Sequence, residues 1–293
     1  MSKIMEAKEA KRKGKLYLCP TPIGNLEDIT YRTLETLKSV DLIAAEDTRV
    51  SLKLLNHFGI DKPLTSYYEH NKREKGSYLI GKLLGGTDIA VVTDAGAPGI
   101  SDPGEDLVRL CVQNDIEVEA LPGPCAFVTA LTASGMPTGR FTFEGFLTVN
   151  KRNRIKHLES LKFETRTMIF YEAPHKLPHT LKDMYSVFGD REIVLAREIT
   201  KKFEEYIRTT LSGAIERYEN VSPRGEYVLI LHGAKPEEAE EIRRQDLPDP
   251  SELLKKYYKD GRRGKELVRL VADELKLPKR EVYDIYLKLD KGE

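Results

Sequence analysis

The chain has few cysteines and no excess of either charge. Cys19, Cys111 and Cys125 are far apart, and no pair has metal-ligand spacing, so neither a metal site nor a disulfide framework is expected. They are interpreted as small core residues in a reducing cytoplasm, with a reactive thiol at Cys125 as the alternative. The 47 basic and 47 acidic residues give a formal net charge of +0. This balance does not exclude a nucleic-acid partner, because a local basic patch is sufficient.

Long hydrophobic runs are also missing. No stretch of 18 or more apolar residues occurs, which predicts that the chain has no membrane span. The first residues, "MSKIMEAKEAKRKG", lack the apolar core of a signal peptide. Residues 1–14 are therefore predicted to be a flexible basic tail, either an arm for RNA or a solubilising extension.

The loop after the first predicted strand lacks the usual phosphate-binding patterns. Within "LYLCPTPIGNLEDIT" there is neither Gly-x-Gly-x-x-Gly nor Gly-Lys-Ser/Thr, which argues against a dinucleotide or a triphosphate ligand. Pro20 and Pro22 have no N–H to donate to an anion. Such a loop suits a flat, partly apolar ligand without phosphate, and S-adenosylmethionine fits that description. The alternative is that the prolines only rigidify a turn.

The pattern along the chain predicts an α/β protein. Apolar runs alternate with amphipathic stretches over residues 15–138, which indicates a parallel sheet covered by helices. Strands outnumber helices over residues 139–234, which favours a mixed sheet in a second α/β domain. Residues 235–250 are acidic and bounded by prolines, as in a linker. Residues 251–293 are predicted to form a small helical domain with helix-turn-helix spacing.

Unusual loops follow several strands of the first domain. They read "PTPIGN", "AEDTR", "TDAGAPGISDPG" and "LPGPCA". Ligands of open parallel sheets bind beyond the carboxyl ends of the strands, so these loops are expected to share one ligand.

Together with "FYEAPHKL", these segments resemble the ribosomal RNA small subunit methyltransferase I group. That group is a branch of the tetrapyrrole methylase-like, S-adenosylmethionine-dependent methyltransferases. The resemblance covers residues 16–233, and a similar helical tail occurs in the group. It implies methylation of a cytidine ribose 2′-hydroxyl in the decoding region of 16S rRNA, in the small ribosomal subunit. It also implies a homodimer, and two α/β domains with the cofactor in the cleft between them.

The resemblance further assigns the residues that bind the cofactor. They come from three loops of the first domain and one strand of the second: Pro22, Ile23, Gly24, Asp94, Gly96, Ala97, Ile100, Cys125, Ala126 and Tyr171. Ala97 and Gly99 depart from the group, where a threonine and a bulkier aliphatic residue are expected. Both changes reduce side-chain bulk, so they affect the shape of the pocket and leave backbone contacts available.

Catalysis is expected to need a proton acceptor, because a ribose hydroxyl is a poor nucleophile near neutral pH. The candidate catalytic residues are Asp47, Arg49 and Asp94, with Glu46 and Asp102 at the same rim. Asp47 is either a base or positioning group held by Arg49, or a cap of the following helix. Asp94 is either a base or a brace for the second loop. Asp102, before a proline, is interpreted as a helix cap.

Contacts to RNA are expected from basic residues in three places. These residues are Arg49, Arg197, Lys201, Arg262, Arg263, Lys279 and Arg280. For Arg197 and Lys201 the choice is between a basic lip over the cleft and a solvated turn. For the C-terminal residues, dimerisation or simple packing of the helical tail is the alternative.

Two other functions remain open at this point. The same scaffold can methylate a small molecule such as a tetrapyrrole, or a protein side chain. A protein of another class would only sense the cofactor or RNA by binding it. A basic helical tail and the "AEDTR" loop favour the RNA substrate.

Overall fold

The computed structural model describes residues 12–237 and 248–290, which form two compact units. The first unit contains residues 12–159 and 166–232. The second contains residues 160–165, 233–237 and 248–290. Most of the predicted tail and of the predicted linker lie outside the described residues.

The first unit begins with a five-stranded parallel sheet. Its strands are β1 (Leu16–Leu18), β2 (Leu42–Ala45), β3 (Leu64–Ser66), β4 (Ile89–Val92) and β5 (Val118–Ala120). Their order is β3-β2-β4-β1-β5, and Leu16 pairs with Ile89 on one side and Val118 on the other. Every residue of β4 is buried, as expected for a central strand covered on both faces. The predicted parallel sheet is confirmed.

Five helices connect or follow these strands. They are α1 (Tyr31–Ser39), α2 (Thr48–His57), α3 (Lys72–Leu84), α4 (Gly104–Gln113) and α5 (Ala126–Ser134), with a short 3₁₀ helix at Leu26–Asp28. Side-chain caps define two of the starts, because Thr30 accepts from the Thr33 N–H and Asp47 from the Arg49 N–H.

The second sheet is mixed, as predicted. Its strands are β6 (Phe141–Phe146), β7 (Thr167–Glu172), β8 (Glu192–Arg197), β9 (Glu205–Thr210) and β10 (Tyr227–Leu231), in the order β6-β7-β10-β8-β9. Of the four strand pairs described in this sheet, the β6–β7 pair is parallel and the other three are antiparallel. The helices of this region are α6 (Lys151–Ser160), α7 (Leu177–Phe188) and α8 (Leu211–Arg217).

Helix α5 belongs to the first domain in sequence but packs on the second sheet. Its Ala130 and Leu131 share a buried cluster with Ile169 and Val228 of that sheet. Ile23, from the loop after β1, joins the same cluster. The loops of the first sheet are thereby held directly against the second sheet, which forms the cleft described below.

Within residues 248–290, the second unit has the helices α9 (Pro250–Lys259), α10 (Gly264–Leu275) and α11 (Lys279–Asp290). Leu254, Leu267, Val271 and Val282 form its apolar core. Lys276 adopts a left-handed conformation with φ of 51° and ends α10 before the turn into α11. The predicted C-terminal helices are confirmed. Across the described part of the chain, no helix has both the length and the apolar character needed to cross a bilayer.

Candidate active site

A cleft of about 430 Å³ lies between the loops of the first sheet and the edge of the second sheet. The first domain contributes residues of the loops after β1, β2, β4 and β5. The second domain contributes the ends of β6 and β7, the loop after β8 and the start of β10. The position agrees with the rule that ligands of open α/β sheets bind at the carboxyl ends of the strands.

The loops after β1 and β4 are fastened to one another. The Thr21 N–H donates to the Gly96 carbonyl and the Gly96 N–H to the Thr21 carbonyl, both at 3.0 Å. The Thr21 hydroxyl donates to the Thr93 carbonyl, also at 3.0 Å. Gly96 has φ of 88°, a conformation that glycine adopts without strain. These bonds satisfy polar backbone groups of the loops internally and leave a firm cleft wall.

Pro20, in the first loop, has a packing role. At Gly123, in the loop after β5, a Cβ would lie 2.6 Å from Cβ of Pro20. Only glycine therefore lets the third loop approach the first so closely. Pro20 thus provides an apolar surface against which the third loop packs, and the fixed φ of both prolines stiffens the first loop.

Asp102 braces the second cofactor loop. Its carboxylate accepts from the N–H groups of Gly99 at 2.8 Å, Ile100 at 3.0 Å and Gly104 at 2.7 Å. Asp102 was predicted to cap α4, but the N-cap residue is Pro103, and Asp102 accepts from the first N–H of the helix from one position earlier. The other two bonds hold the loop. The alternative that gave this bracing role to Asp94 is wrong, because the Asp94 side chain accepts from a different loop. Gly99, where a bulkier aliphatic residue was expected, has φ of 88°. Glycine adopts this left-handed conformation without strain.

Glu46 and Asp94 link the loops after β2 and β4. The Asp47 N–H donates to Oδ1 of Asp94 at 3.0 Å, and the Asp94 N–H donates to Oε2 of Glu46 at 3.4 Å. Burial raises the pKa of both carboxyls, and nearby carboxylates raise the pKa of Glu46 further. Glu46 lines the cleft. A raised pKa makes each carboxylate a better proton acceptor than an ordinary exposed one.

Asp47 and Arg49 form a bonded pair at the start of α2. The Asp47 carboxylate accepts from the Arg49 N–H at 2.8 Å and from the guanidinium at 2.7 Å and 3.1 Å. The hydrogen bond from the Arg49 side chain lowers the pKa of Asp47 to about 2. A carboxylate with so low a pKa is a weak base. Asp47 therefore caps the helix and orients Arg49, whose side chain is 87% exposed.

Tyr171 connects the second domain to the third loop. Its hydroxyl accepts from the Phe127 N–H, at the start of α5, at 3.2 Å. Burial raises the pKa of Tyr171 to about 12 and also raises the pKa of the Cys125 thiol. Both groups are neutral near pH 7, which weighs against Cys125 as a reactive thiol because the thiolate is the nucleophile.

Phe146 is a site residue that the sequence did not reveal. It lines the cleft, packs 5.3 Å from the Tyr171 ring and remains 55% exposed. An exposed aromatic ring at the mouth of a cleft offers a stacking surface. In the sequence, Phe146 is simply an aromatic residue at the end of a predicted strand. Such residues are too common for this one to be predicted as part of the site.

The loop after β8 touches the loop after β1. The Asn25 N–H donates to the Thr200 hydroxyl at 3.1 Å. A Cβ at Gly24 would lie 2.5 Å from Cγ of Lys201 and 2.7 Å from Oγ1 of Thr200. Thr200 has φ of 64°, a strained conformation for a β-branched residue. Gly24 therefore sets the closest approach of the two domains at this end of the cleft.

Arg197, predicted to contact RNA from a basic lip, does not line the cleft, and its contact to RNA stays a prediction. Its Nε donates to the Arg224 carbonyl at 2.7 Å, and its side chain lines a separate cavity. Arg197 pairs with Tyr227 across β8 and β10. Lys201 stays near the cleft, but its ammonium donates to Glu198 and Glu226 at 3.0 Å and 2.7 Å.

Most of the predicted cofactor residues come together. Those that line the cleft are Ile23, Gly96, Ala97, Ile100, Cys125, Ala126 and Tyr171. Pro22, Gly24 and Asp94 lie in the same loops and do not line it. The predicted RNA contacts Arg262, Arg263, Lys279 and Arg280 belong to the second unit.

Comparison with known proteins places this architecture in a class. The family described as Tetrapyrrole (Corrin/Porphyrin) Methylases matches residues 15–215. A uroporphyrin III C-methyl transferase from Thermus thermophilus aligns with a TM-score of 0.55 at 17% identity, covering 78% of this chain and 100% of that one. A diphthine synthase aligns with a TM-score of 0.58 at 14% identity, covering 79% and 95%. The fold and the cleft define a methyltransferase of the tetrapyrrole methylase class.

Curated relatives narrow the assignment. A Synechocystis sp. protein is 46% identical over 278 residues, 94% of this chain and 99% of its own length. A Bacillus subtilis protein is 47% identical over 274 residues, 93% and 94% of the two chains. Both are named Ribosomal RNA small subunit methyltransferase I. The chain belongs to the ribosomal RNA small subunit methyltransferase I family, which confirms the resemblance seen in its motifs.

Proposed function

We propose that this methyltransferase transfers a methyl group from S-adenosylmethionine to the 2′-hydroxyl of a cytidine ribose in the decoding region of 16S rRNA. The observation that carries the proposal is the charge of the cleft. Its walls contain the carboxylates Glu46, Asp102, Glu172 and Glu226, and no lysine, arginine or histidine among the residues that the structure describes. Such a lining suits a cationic, phosphate-free ligand and disfavours a nucleotide phosphate.

The shape of the cleft also fits S-adenosylmethionine. Ile23, Ile100 and Tyr171 give apolar walls for a nucleoside, and the absence of a side chain at Gly96 leaves the loop backbone accessible. Carboxylates nearby favour the positive charge of the ligand. When bound, this cofactor supplies a methyl group on a sulfonium, which is an excellent leaving group. A solved relative, a uroporphyrin-III C-methyl transferase from Thermus thermophilus, is described as complexed with S-adenosylhomocysteine.

The residues of the chain have separate tasks in this proposal. The walls align the ribose hydroxyl with the methyl donor and exclude water, which lowers the barrier through proximity and orientation. Glu46, which lines the cleft, and Asp94, whose N–H donates to Glu46, are the candidate acceptors for the hydroxyl proton, because burial raises the pKa of both carboxyls. Asp47 holds Arg49 at the rim, where the exposed guanidinium contacts an RNA phosphate.

Further RNA contacts are assigned to the second unit and to Lys201. The guanidinium of Arg263 lies 3.5 Å from the centre of the Tyr258 ring, and that of Arg262 lies 5.7 Å from the Tyr257 ring. Exposed arginines with adjacent aromatic rings are suited to phosphates and unpaired bases. Lys279 and Arg280 stand at the start of α11. Binding to the small ribosomal subunit as a homodimer completes the proposal.

The proposal is tested with labelled S-adenosylmethionine and small subunits isolated from cells that lack this methylation. After the reaction, the rRNA is digested and the labelled nucleoside is identified by mass spectrometry. Label in 2′-O-methylcytidine is expected, and Asp94→Asn is expected to slow its appearance. Label in a tetrapyrrole or a protein supplied in parallel, with none in rRNA, would replace the proposed substrate. Cofactor binding without transfer to any of them would indicate a sensor.

A further inference from the structure

A second cavity, of about 430 Å³, is formed in the first unit beside β8 and β10. It lies where α8 ends and the chain runs through residues 218–225 into β10. The cavity is lined by the guanidinium-bearing residues Arg197, Arg217 and Arg224. None of the roles proposed above uses it.

The charges of this cavity are unbalanced. Glu205 is its only acidic lining residue among those the structure describes. Its carboxylate accepts from Arg217 at 2.8 Å and lies 3.6 Å from Nη1 of Arg197. The lining therefore contains one carboxylate and three arginines, and Glu198, outside the lining, also interacts electrostatically with Arg197. Arg197 and Arg217 pair with Glu205, whereas Arg224 forms no ion pair within residues 12–237 and 248–290. The excess positive charge favours an anion.

The donors suit a phosphate. Guanidinium groups bind phosphate oxygens through paired N–H donors, and they are the preferred side chains for that purpose. Ser222 adds a hydroxyl to the lining. Arg197 is held in place by its bond to the Arg224 carbonyl at 2.7 Å, so this part of the cavity is formed before any ligand enters.

The cavity is next to the cleft. Tyr227 lines both, and its strand partner is Arg197. The neighbouring residue Val228 lines the cleft only. The two cavities are therefore adjacent, as an RNA strand that contacts both of them requires.

We infer that Arg197, Arg217 and Arg224 form a phosphate pocket that holds the rRNA backbone next to the nucleotide being methylated. This inference rests on the proposed rRNA substrate. Among the residues that the structure describes, no cationic side chain lines the cleft. A separate basic pocket therefore explains how a polyanion such as RNA is held beside an acidic cleft.

The test uses Arg224→Gln in the full chain, with Arg73→Gln on α3 as the matched control. Both residues are exposed, so both variants are expected to fold. Binding to a 16S rRNA fragment is measured from 50 to 200 mM salt. Loss of one phosphate contact should reduce the slope of log K against log salt by about 0.7 to 1 and weaken binding roughly tenfold. The Arg73→Gln control should change neither the salt slope nor the affinity for the fragment.

Calorimetry with S-adenosylhomocysteine separates this pocket from the cleft, since Arg224→Gln should leave that affinity unchanged. An unaltered salt slope in Arg224→Gln would overturn the inference, as would wild-type protein that does not bind the fragment. Inorganic phosphate is titrated in a separate arm. Loss of tight phosphate binding with an unaltered rRNA slope would assign the pocket to a free anion and also reject the inference. Fragment binding without methylation would instead count against the proposed function alone.

Discussion

The contact at Gly24 yields the sharpest prediction about the cleft. In Gly24→Ala, the new Cβ would lie 2.5 Å from Cγ of Lys201, 2.7 Å from Oγ1 of Thr200 and 3.1 Å from the Ile199 carbonyl. The loop after β1 and the loop after β8 must separate by about 1 Å to restore ordinary contacts, and overpacking of this size costs about 1–3 kcal/mol. The Asn25–Thr200 hydrogen bond is expected to break as they separate.

Activity should suffer more than stability. The two loops belong to the domains on opposite sides of the cleft, and a misplacement of about 1 Å can lower a rate about 100-fold. We expect kcat/KM for small subunits to fall by that order and the melting temperature to fall by a few degrees. Methyl transfer is followed with labelled cofactor, and melting by calorimetry.

A control is available in helix α3. In Gly81→Ala the added Cβ meets no atom within 4 Å, and alanine in a helix interior is favoured over glycine by about 0.5–1 kcal/mol. That variant should keep full activity and melt slightly higher. If Gly24→Ala instead matched the wild type in both rate and melting temperature, the close approach of the two loops would be refuted as a determinant of the cleft.

Three further predictions concern the carboxylates at the rim. Asp102→Ala removes the acceptor that holds the second loop, so affinity for S-adenosylhomocysteine should fall at least about tenfold by calorimetry; unchanged affinity would show that the loop keeps its shape alone. Asp47→Ala releases Arg49 and should slow turnover far more than it weakens cofactor binding, whereas equal losses would place the pair in the cofactor site. Burial raises the pKa of Glu46, so its ionised form opposes folding and wild-type stability falls as pH rises through that pKa. Glu46→Gln should therefore melt higher at pH 7, and this gain should vanish below a pH of about 4, where the carboxyl is protonated in both states; a gain independent of pH would contradict the assigned cause.

Local patterns in the sequence predicted most of the fold. A buried apolar run such as β4 and a capping residue such as Thr30 determine local structure within a few residues of the chain. Helices and strands could therefore be predicted from short stretches of sequence. Ligands of parallel sheets bind at the carboxyl ends of the strands, and this rule predicted that the loops of the first sheet share one site. The structure forms a cleft at that place.

Contacts between distant segments could not be predicted in the same way. Asp94 and Asp102 are both acidic residues in one loop, and only the folded geometry shows that Asp102 accepts the loop N–H groups. The place of Arg197 in the lining of the second cavity depends on the register of β8 against β10, which the local sequence does not specify. The crossing of α5 onto the second sheet likewise depends on tertiary packing.

The central claim is that the cleft between the two α/β domains holds S-adenosylmethionine. A crystal structure of the full chain soaked or grown with S-adenosylhomocysteine tests it most directly. The ligand is predicted to lie against Ile23, Gly96 and Tyr171, within reach of the Glu46 carboxylate. A ligand bound elsewhere, or a cleft occupied by a nucleoside di- or triphosphate in its place, would contradict the account.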